Sequence, residues 1–290
     1  MILSASRRTD IPCYYSEWFV NRLKEGYVLS MNPMNRSQVR KVQLSPEEID
    51  CIVFWTKDPL NMMDRLPLIS SMGYHYYFQF TITPYGRELE RNLRNKQDIA
   101  AVFRRLSELL GRHRVLWRYD PILFNSEITL SCHEESFAGL CRQLKGYTEL
   151  CTISFVDLYH KLNKSVKNNI LAEIPQELML QTAKSFLKIA GEFGIELRAC
   201  CEQADLSEAG IRPAACIDKN LMERICGHSI SGKKDKSQRP GCGCLQSIDI
   251  GIYNTCNNGC VYCYANHSEA SINHNLQKHD PHSELMIDRA

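Results

Sequence analysis

Short apolar runs recur along this chain of 290 residues, and segments with helical spacing separate most of them. Eight runs have the length of a β-strand: Ile2–Ala5, Val28–Met31, Cys51–Trp55, Tyr76–Ile82, Val115–Tyr119, Cys151–Val156, Ile195–Cys200 and Ile248–Tyr253. The run at residues 51–55 has no polar alternation, which is typical of a parallel strand buried on both faces. The pattern therefore predicts an α/β fold with a parallel sheet, closed as a (β/α) barrel or open as a partial barrel.

Two local features of this pattern need the structure to test them. The run at residues 28–31 is the least secure strand, because Val39–Leu44 competes with it. The sequence Ser45-Pro46-Glu47-Glu48 combines an N-cap residue, a first-turn proline and a reciprocal glutamate, so it predicts the start of a helix.

One barrel-like domain is expected over residues 1–266, followed by a polar tail at 267–290. The longest candidate loop is 227–241, which contains four basic residues and one acidic residue within the tract 233–239. Two interpretations of this loop stay open: a solvated loop, which we favour, or a lid that meets an anionic substrate.

Composition and charge exclude several classes of protein. Hydrophobic residues make up 44% of the chain, which excludes a disordered protein. The formal net charge is +2, which argues against nucleic-acid binding by bulk charge but not against a local basic patch. No apolar run approaches the ~20 residues of a membrane-spanning helix, and the first residues turn polar after three apolar positions. We therefore expect a cytoplasmic protein with no membrane partner.

Polar side chains gather where the predicted strands end. Because parallel strands end on one side of a sheet, these residues are expected to meet at one mouth. Arg118 lies between Trp117 and Tyr119 in an apolar strand, where an unpartnered charge is costly. The predicted catalytic residues at this mouth are Arg7, Asp10, Lys57, Arg118 and Asp120.

The chain has 14 cysteines, and nine of them lie between residues 200 and 263. Crowding of this kind in a reducing compartment indicates metal binding more than disulfides. Cys256, Cys260 and Cys263 have the spacing C-x3-C-x2-C on an Asn/Gly loop after the last predicted strand. Three thiolates can hold three irons of a [4Fe–4S] cluster and leave the fourth iron open. Structural zinc stays an alternative, with Cys242 and Cys244 joining Cys260 and Cys263 as the four ligands.

A second metal set is predicted among the other cysteines near the C-terminal end. Its four proposed ligands, for an auxiliary iron–sulfur cluster or for zinc, are Cys201, Cys216, Cys242 and Cys244. Core packing is the alternative for Cys200 and Cys226, and we accept it for Cys226. A third alternative is a hydrogen-atom donor thiol, with Cys201 or Cys13 as the candidate.

The cysteine motif resembles that of the radical S-adenosylmethionine (SAM) superfamily. Four further segments resemble the bacterial DUF1848 family, and that resemblance extends over essentially the whole chain: Ser4–Pro12, Phe54–Lys57, Trp117–Pro121 and Tyr262–Asn266. The resemblance implies that Cys256, Cys260 and Cys263 hold the cluster and that the open iron chelates the methionine part of SAM. Reductive cleavage of SAM would then give a 5′-deoxyadenosyl radical that abstracts hydrogen from a substrate.

The resemblance also implies the roles of other residues and partners. Tyr262 matches the aromatic position that lies against the adenine of SAM. Superfamily members usually carry the motif after the first strand, so its place here implies a circular permutation with the last strand beside the first. Ser4 and Ser6 stand where the permuted order would place a Gly-Gly-Glu motif, so they are candidates to bind SAM. Flavodoxin or ferredoxin would supply the electron.

The substrate stays open, since a small molecule or a polymer would both be compatible with the chemistry. Nucleic acid is one substrate class, compatible with the basic residues of the loop at 227–241 and with Arg7. A non-catalytic iron–sulfur or zinc-binding protein is the alternative function. Such a protein would need neither the polar mouth nor SAM.

Overall fold

The computed structural model describes residues 1–35, 37–158, 162, 170–202, 204–239 and 241–288. Its main sheet has eight strands, in the spatial order β10 (Ile248–Asp249), β1 (Ile2–Ala5), β4 (Cys51–Thr56), β5 (Tyr76–Thr81), β6 (Val115–Ile122), β7 (Leu150–Phe155), β8 (Glu196–Ala199) and β9 (Arg212–Pro213). Every neighbouring pair in this sheet is parallel. The remaining strands, β2 (Tyr27–Met31) and β3 (Val39–Gln43), form a separate antiparallel hairpin.

Helices connect most of the parallel strands. They are α1 (Ile11–Tyr14), α2 (Ser16–Glu25), α3 (Leu60–Met63), α4 (Leu66–Ser71), α5 (Lys96–Leu110), α6 (Leu130–Leu144), α7 (Gln176–Glu192), α8 (Lys219–Cys226) and α9 (Glu269–Gln277). Several start at a side-chain cap: Asn95 accepts from Asp98 N before α5, and Thr129 accepts from Cys132 N before α6. Such caps satisfy amide groups that have no partner inside the helix.

The two faces of the sheet pack against different parts of the chain. The outer face carries alternate residues such as Phe54, Phe78 and Trp117, which join the large core formed with the helices. The inner face carries Val53, Tyr77 and Leu116 among others, and these pack against Ile217, Met222, Ile225 and Leu245 from the segment after β9. The segment at 216–245 therefore fills part of the inner side of the sheet.

The sheet is open, as in a partial barrel. β9 and β10 are its outer strands, and within the described residues they form no ladder with each other. The last strand nevertheless pairs in parallel with the first, with Leu3 opposite Ile248 and Ser4 opposite Asp249. The predicted adjacency of the last and first strands is thus confirmed, although the last strand covers only 248–249 of the predicted 248–253.

The structure corrects two predictions about single elements. The run at 28–31 does form a strand, but it pairs with its competitor at 39–43 in the hairpin and not with the main sheet. The eighth strand of the sheet is instead β9, which has two residues, one of them a proline. Residues 46–48 form a turn and no helix, because Leu44 to Ile49 makes a short connection directly into β4.

The chain after residue 266 packs against the domain. Trp18 Nε1 donates to the carbonyl of Ser283 at 3.0 Å, and Met286 and Ile287 are buried in the main core. The ring of His279 packs edge-on against Tyr15 at 4.7 Å. None of the helices in the described ranges is long and apolar enough to cross a membrane.

Candidate functional site

One cavity of about 540 Å³ lies at the carboxyl ends of the parallel strands. Such a volume is typical of small-molecule sites, which span about 300–1,000 Å³. The five predicted catalytic residues line it: Arg7, Asp10, Lys57, Arg118 and Asp120. So do the predicted metal ligands: Cys201, Cys216, Cys242, Cys244, Cys256, Cys260 and Cys263. Ser6 and Tyr262 also line the cavity, whereas Ser4 and Cys13 do not.

The loop that carries Cys256, Cys260 and Cys263 is held by backbone pairing with residues 89–92. Glu90 and Cys260 form an antiparallel bridge, and the amide of Val261 donates to the carbonyl of Leu89 at 3.0 Å. Gly259 has φ of +68°, a left-handed conformation that favours glycine. The loop thus turns sharply and presents its cysteines to the cavity.

The three thiols of this loop interact with one another. Burial raises the pKa of Cys256 well above its usual value, and Asp10 and the thiols of Cys263 and Cys260 raise it further. Burial likewise raises the pKa of Cys260 to about 12, although Lys57 opposes the shift. Thiolates here would repel each other in a desolvated place, so they need a bound cation to become ligands.

Three cysteine thiols on one loop match the donor set that holds an iron–sulfur cluster. Within the described ranges, no three His, Cys, Asp or Glu side chains are spaced to hold one metal ion. Cys256, Cys260 and Cys263 share a cavity wall and lie within electrostatic reach of one another. A cluster binds each thiolate through a different iron, so it holds thiolates farther apart than one ion does.

Lys57 and Tyr262 converge on Glu90, which sequence reasoning missed. Lys57 Nζ lies 2.8 Å from Glu90 Oε1, and both Tyr262 and Lys96 donate to the same carboxylate. Burial favours the neutral acid, but Lys57 and Lys96 lower the pKa of Glu90 to about 2. This network joins the end of β4, α5 and the cysteine loop, and it fixes the hydroxyl of Tyr262 while its ring lines the cavity.

Asp10 connects three segments around the cysteine loop. Its carboxylate accepts from the amides of Cys13 and Lys57 and from Asn258 Nδ2, at 3.0, 2.8 and 3.2 Å. Burial raises the pKa of Asp10 to about 6, against the lowering effect of these hydrogen bonds. Asp10 therefore positions the loop through Asn258.

Arg118 is paired on the inner face of β6. Its Nε lies 3.1 Å from Asp120 Oδ2, and Ser154 Oγ donates to Asp120 Oδ1 at 2.5 Å. Its Nη1 donates to Cys216 Sγ at 2.7 Å. Burial acts to raise the pKa of Asp120, but Arg118 lowers it overall. Arg118 thus has a structural ion pair at the same time as it faces the cavity.

Arg7 has weaker protein partners than Arg118. Among the described residues, its guanidinium pairs with the carboxylate of Asp235 at 3.7 Å, and its Nη2 is buried with no hydrogen-bond partner. Both arginines lie near Trp55, since the guanidinium carbons of Arg7 and Arg118 are each 5.4 Å from its ring centre. An unsatisfied guanidinium that lines a cavity is suited to bind an anionic group.

Asp249, on β10, is a second residue that sequence reasoning missed. It accepts from Ser4 Oγ at 2.8 Å, from Ser6 Oγ at 2.7 Å and from the amide of Arg7 at 2.8 Å. The two predicted SAM-binding serines therefore use their hydroxyls to join β1 to β10. The sequence did contain a signal for Asp249, because this charged residue interrupts the apolar run Ile248–Tyr253. Arg118 interrupts the apolar run Val115–Tyr119 in the same way.

The remaining cavity cysteines lie on the inner side of β8 and beyond it. Cys200 Sγ is 3.4 Å from Cys216 Sγ, a contact that the predicted set with Cys201 did not include. The Cys244 Sγ accepts from the amides of Cys216 and Ile217, at 3.2 and 3.4 Å. A hydrogen bond with Cys216 lowers the pKa of Cys244, and the amide of Ile217 contributes to the shift.

Part of the predicted lid lies on the cavity wall. Ser237, Gln238 and Arg239 line the cavity, and Arg239 Nη1 lies 2.9 Å from Asp157 Oδ2. Asp235 stabilises this turn by accepting from Ser237 and Gln238. Residue 240 of the predicted loop lies outside the described residues.

The chain can be compared with solved structures, with curated proteins and with protein families. One similar solved structure is that of "a putative alpha-L-fucosidase" from Bacteroides thetaiotaomicron VPI-5482, 10% identical, which covers 64% of this chain and 76% of that chain with a TM-score of 0.28. A score this low supports no inference about fold or activity. No curated protein matches the chain. The family described as "Domain of unknown function (DUF1848)" matches residues 2–265, so the chain belongs to the DUF1848 family.

Proposed function

We propose that this chain is a radical SAM enzyme, with a [4Fe–4S] cluster bound by Cys256, Cys260 and Cys263. The observation that carries the proposal is that all three thiols of one short loop line a cavity together with Arg7, Lys57 and other charged side chains. When bound, the cluster would supply the electron that cleaves SAM and so gives a 5′-deoxyadenosyl radical.

The topology supports this proposal. The cysteine loop follows β10, which pairs in parallel with β1, so the loop leaves the sheet at the end where the other strands end. A loop at this end is where parallel α/β proteins place their sites. The chain thus has the arrangement expected of a circularly permuted relative, in which the strand before the motif comes last in sequence and lies beside the first strand.

The residues around the loop have separate tasks in the proposed enzyme. Glu90 holds the Lys57 ammonium beside Cys260, where a positive charge favours thiolate ligands. Arg7 offers an unpartnered guanidinium nitrogen to the carboxylate of SAM or of an acidic substrate. The Tyr262 ring, which lines the cavity while its hydroxyl is held by Glu90, offers a surface for the adenine.

The experiment that tests this proposal is anaerobic reconstitution with iron and sulfide, then reduction by dithionite or by a flavodoxin or ferredoxin in the presence of SAM. We expect 5′-deoxyadenosine and methionine as products. The matched control is the triple variant Cys256→Ala/Cys260→Ala/Cys263→Ala, which should give neither product. If the wild-type protein binds a cluster but gives no 5′-deoxyadenosine, the non-catalytic iron–sulfur protein is the correct alternative.

A further inference from the structure

Four thiols form a second group away from the cysteine loop. They belong to Cys200 at the end of β8, to Cys216, and to Cys242 and Cys244 in the segment that returns to the inner face. Cys200 and Cys216 are in contact through their sulfur atoms at 3.4 Å. Cys244 Sγ accepts the amide of Cys216 at 3.2 Å, and Cys242 lies within electrostatic reach of Cys244. The four residues come from three separate segments and converge at one wall of the cavity.

Ordinary core packing does not account for this group. Cysteines that act as small hydrophobes lie among apolar side chains, as Cys141 and Cys151 do in the main core of this chain. Cys216, Cys242 and Cys244 also lie in a hydrophobic cluster, but two of these thiols meet hydrogen-bond donors as well: Arg118 Nη1 reaches Cys216, and two backbone amides reach Cys244. Donors directed at sulfur stabilise thiolate ligands more than neutral thiols.

Two arginines supply the charge that a cluster at this wall would need. Arg118 interacts electrostatically with Cys216 and Cys200, and Arg7 interacts with Cys244 and Cys216. A [4Fe–4S]²⁺ core with four thiolates carries a net charge of about −2. The guanidinium group of Arg7 would offset part of this charge, and Arg118, although paired with Asp120, would donate to the Cys216 sulfur. Binding of the preformed core breaks four S–H bonds, forms four Fe–S bonds and releases the four protons to solvent, with no change of oxidation state.

We infer that Cys200, Cys216, Cys242 and Cys244 bind a second iron–sulfur cluster, in the same cavity as the one proposed at the cysteine loop. The inference goes beyond the proposed function, because it needs neither SAM nor the first cluster. It also replaces the ligand set predicted from sequence, since the thiol in contact with Cys216 is that of Cys200 and not that of Cys201.

Four thiols that line one cavity match the donor set of an iron–sulfur cluster. No three potential ligands within the described residues are spaced for a single ion, although all four of these cysteines are described. Because a cluster binds each thiolate through a different iron, its ligands need not be spaced for one ion.

The test uses the full chain, reconstituted anaerobically with iron and sulfide. The key variant is Cys256→Ala/Cys260→Ala/Cys263→Ala, in which the proposed second site is intact. We expect about eight irons per wild-type chain and about four in this variant, with cluster absorbance near that of one [4Fe–4S] centre. A Cys242→Ala/Cys244→Ala variant should also keep about four irons, and the matched control Cys201→Ala should keep about eight.

The outcomes separate this inference from the proposed function. A triple variant that folds by circular dichroism but holds no iron overturns the second cluster and leaves the first untouched. Stoichiometric zinc in place of iron, or loss of iron in Cys201→Ala, also overturns it. Conversely, a triple variant with about four irons supports the second cluster even if the wild-type protein gives no 5′-deoxyadenosine. Electron paramagnetic resonance of the reduced triple variant identifies the remaining cluster without an activity measurement.

Discussion

The Nζ of Lys57 lies 2.8 Å from Oε1 of Glu90, and the Glu90 side chain is completely buried. Lys96 contacts the other carboxylate oxygen, so one buried anion holds two lysines beside the cysteine loop. The pair therefore matters for stability as well as for the site, because removing the anion leaves two cations without compensation.

Glu90→Gln should lower the free energy of unfolding by about 3 kcal/mol at pH 7, since breaking a buried ion pair leaves charge unpaired. The pKa of Glu90 is lowered from 4.5 to about 2, so its stabilisation is complete above the higher value and is lost as the pH falls toward the lower one. The difference from wild type should therefore shrink on acidification. Urea denaturation at pH 7 and pH 3 measures both effects. The exposed Glu108→Gln on α5 is the control, and equal stability of wild type and Glu90→Gln at pH 7 would contradict the prediction.

Arg118→Gln should destabilise the protein by about 3 kcal/mol, because it leaves the half-buried Asp120 without its buried cation. The pKa of Asp120, now lowered by Arg118, should rise in the variant. Chemical denaturation at neutral pH checks the stability, with Arg118→Lys as a partial rescue. An unchanged midpoint would show that the Arg118–Asp120 pair contributes nothing to the fold.

Arg7→Gln should weaken ligand binding and leave stability nearly unchanged, the reverse of the effect expected for Arg118→Gln. Since Arg7 has only a 3.7 Å approach to Asp235, its loss should cost no more than about 1 kcal/mol of stability. If its unpartnered Nη2 receives an anionic ligand, SAM affinity should fall at least about tenfold, the loss of one charge-assisted hydrogen bond. Isothermal titration of the reconstituted protein with SAM measures this. Wild-type affinity together with reduced stability would assign Arg7 to the fold.

Asp249→Ala should reduce the iron content of the reconstituted chain while Ser4→Ala should not. Asp249 is the common acceptor that joins β1 to the strand before the cysteine loop, so its loss leaves two hydroxyls and an amide unsatisfied at about 1–3 kcal/mol each. Ser4 is fully buried and does not line the cavity. Iron analysis and SAM titration of both variants measure these effects. A loss of SAM binding in Ser4→Ala alone would indicate that Ser4 contacts SAM, as the sequence predicts.

Gly251→Ala should displace the segment that leads to the cysteines. A Cβ there would meet Ser6 Cβ at 2.6 Å and Ser6 Oγ at 1.9 Å, so the strand end must move away from β1. We expect a loss of about 1–3 kcal/mol and lower iron content. Gly139→Ala in α6 meets nothing within 4 Å and should instead stabilise by about 0.5–1 kcal/mol. Thermal unfolding of the two variants should thus shift in opposite directions.

Sequence patterns predicted the sheet well where strands are apolar and long. The runs at 51–55, 76–82 and 115–119 became neighbouring strands because their residues are buried on both faces. β9 has only two residues, one a proline, so local pattern could not reveal it. Local pattern could not predict the hairpin of β2 and β3 either. Tertiary contacts decide whether β2 pairs with β3 or with the main sheet.

Sequence reasoning predicted which residues line the candidate site better than it predicted which of them contact one another. Charged residues at strand ends do meet in one cavity, but Glu90 lies in a charged stretch, Arg87-Glu88-Leu89-Glu90-Arg91, that resembles any solvated loop. Its burial follows from the bridge to Cys260, which joins residues far apart in sequence. The contact of Cys200 with Cys216 also joins residues that are not neighbours in sequence. Spacing alone therefore could not show that Cys200, and not Cys201, contacts Cys216.

The pairing of β10 with β1 also sets an order for biosynthesis. A ribosome releases residues 2–5 first, but their outer neighbour at 248–249 emerges only after nearly all of the sheet has been made. Until then the edge of β1 presents unpaired amides and carbonyls to the nascent chain and to other proteins, a feature that promotes misassociation. Pairs so distant in sequence also form slowly. The last step of folding would therefore coincide with completion of the cysteine loop, and chaperones that bind unfinished chains would act on a protein that cannot yet bind the proposed cluster.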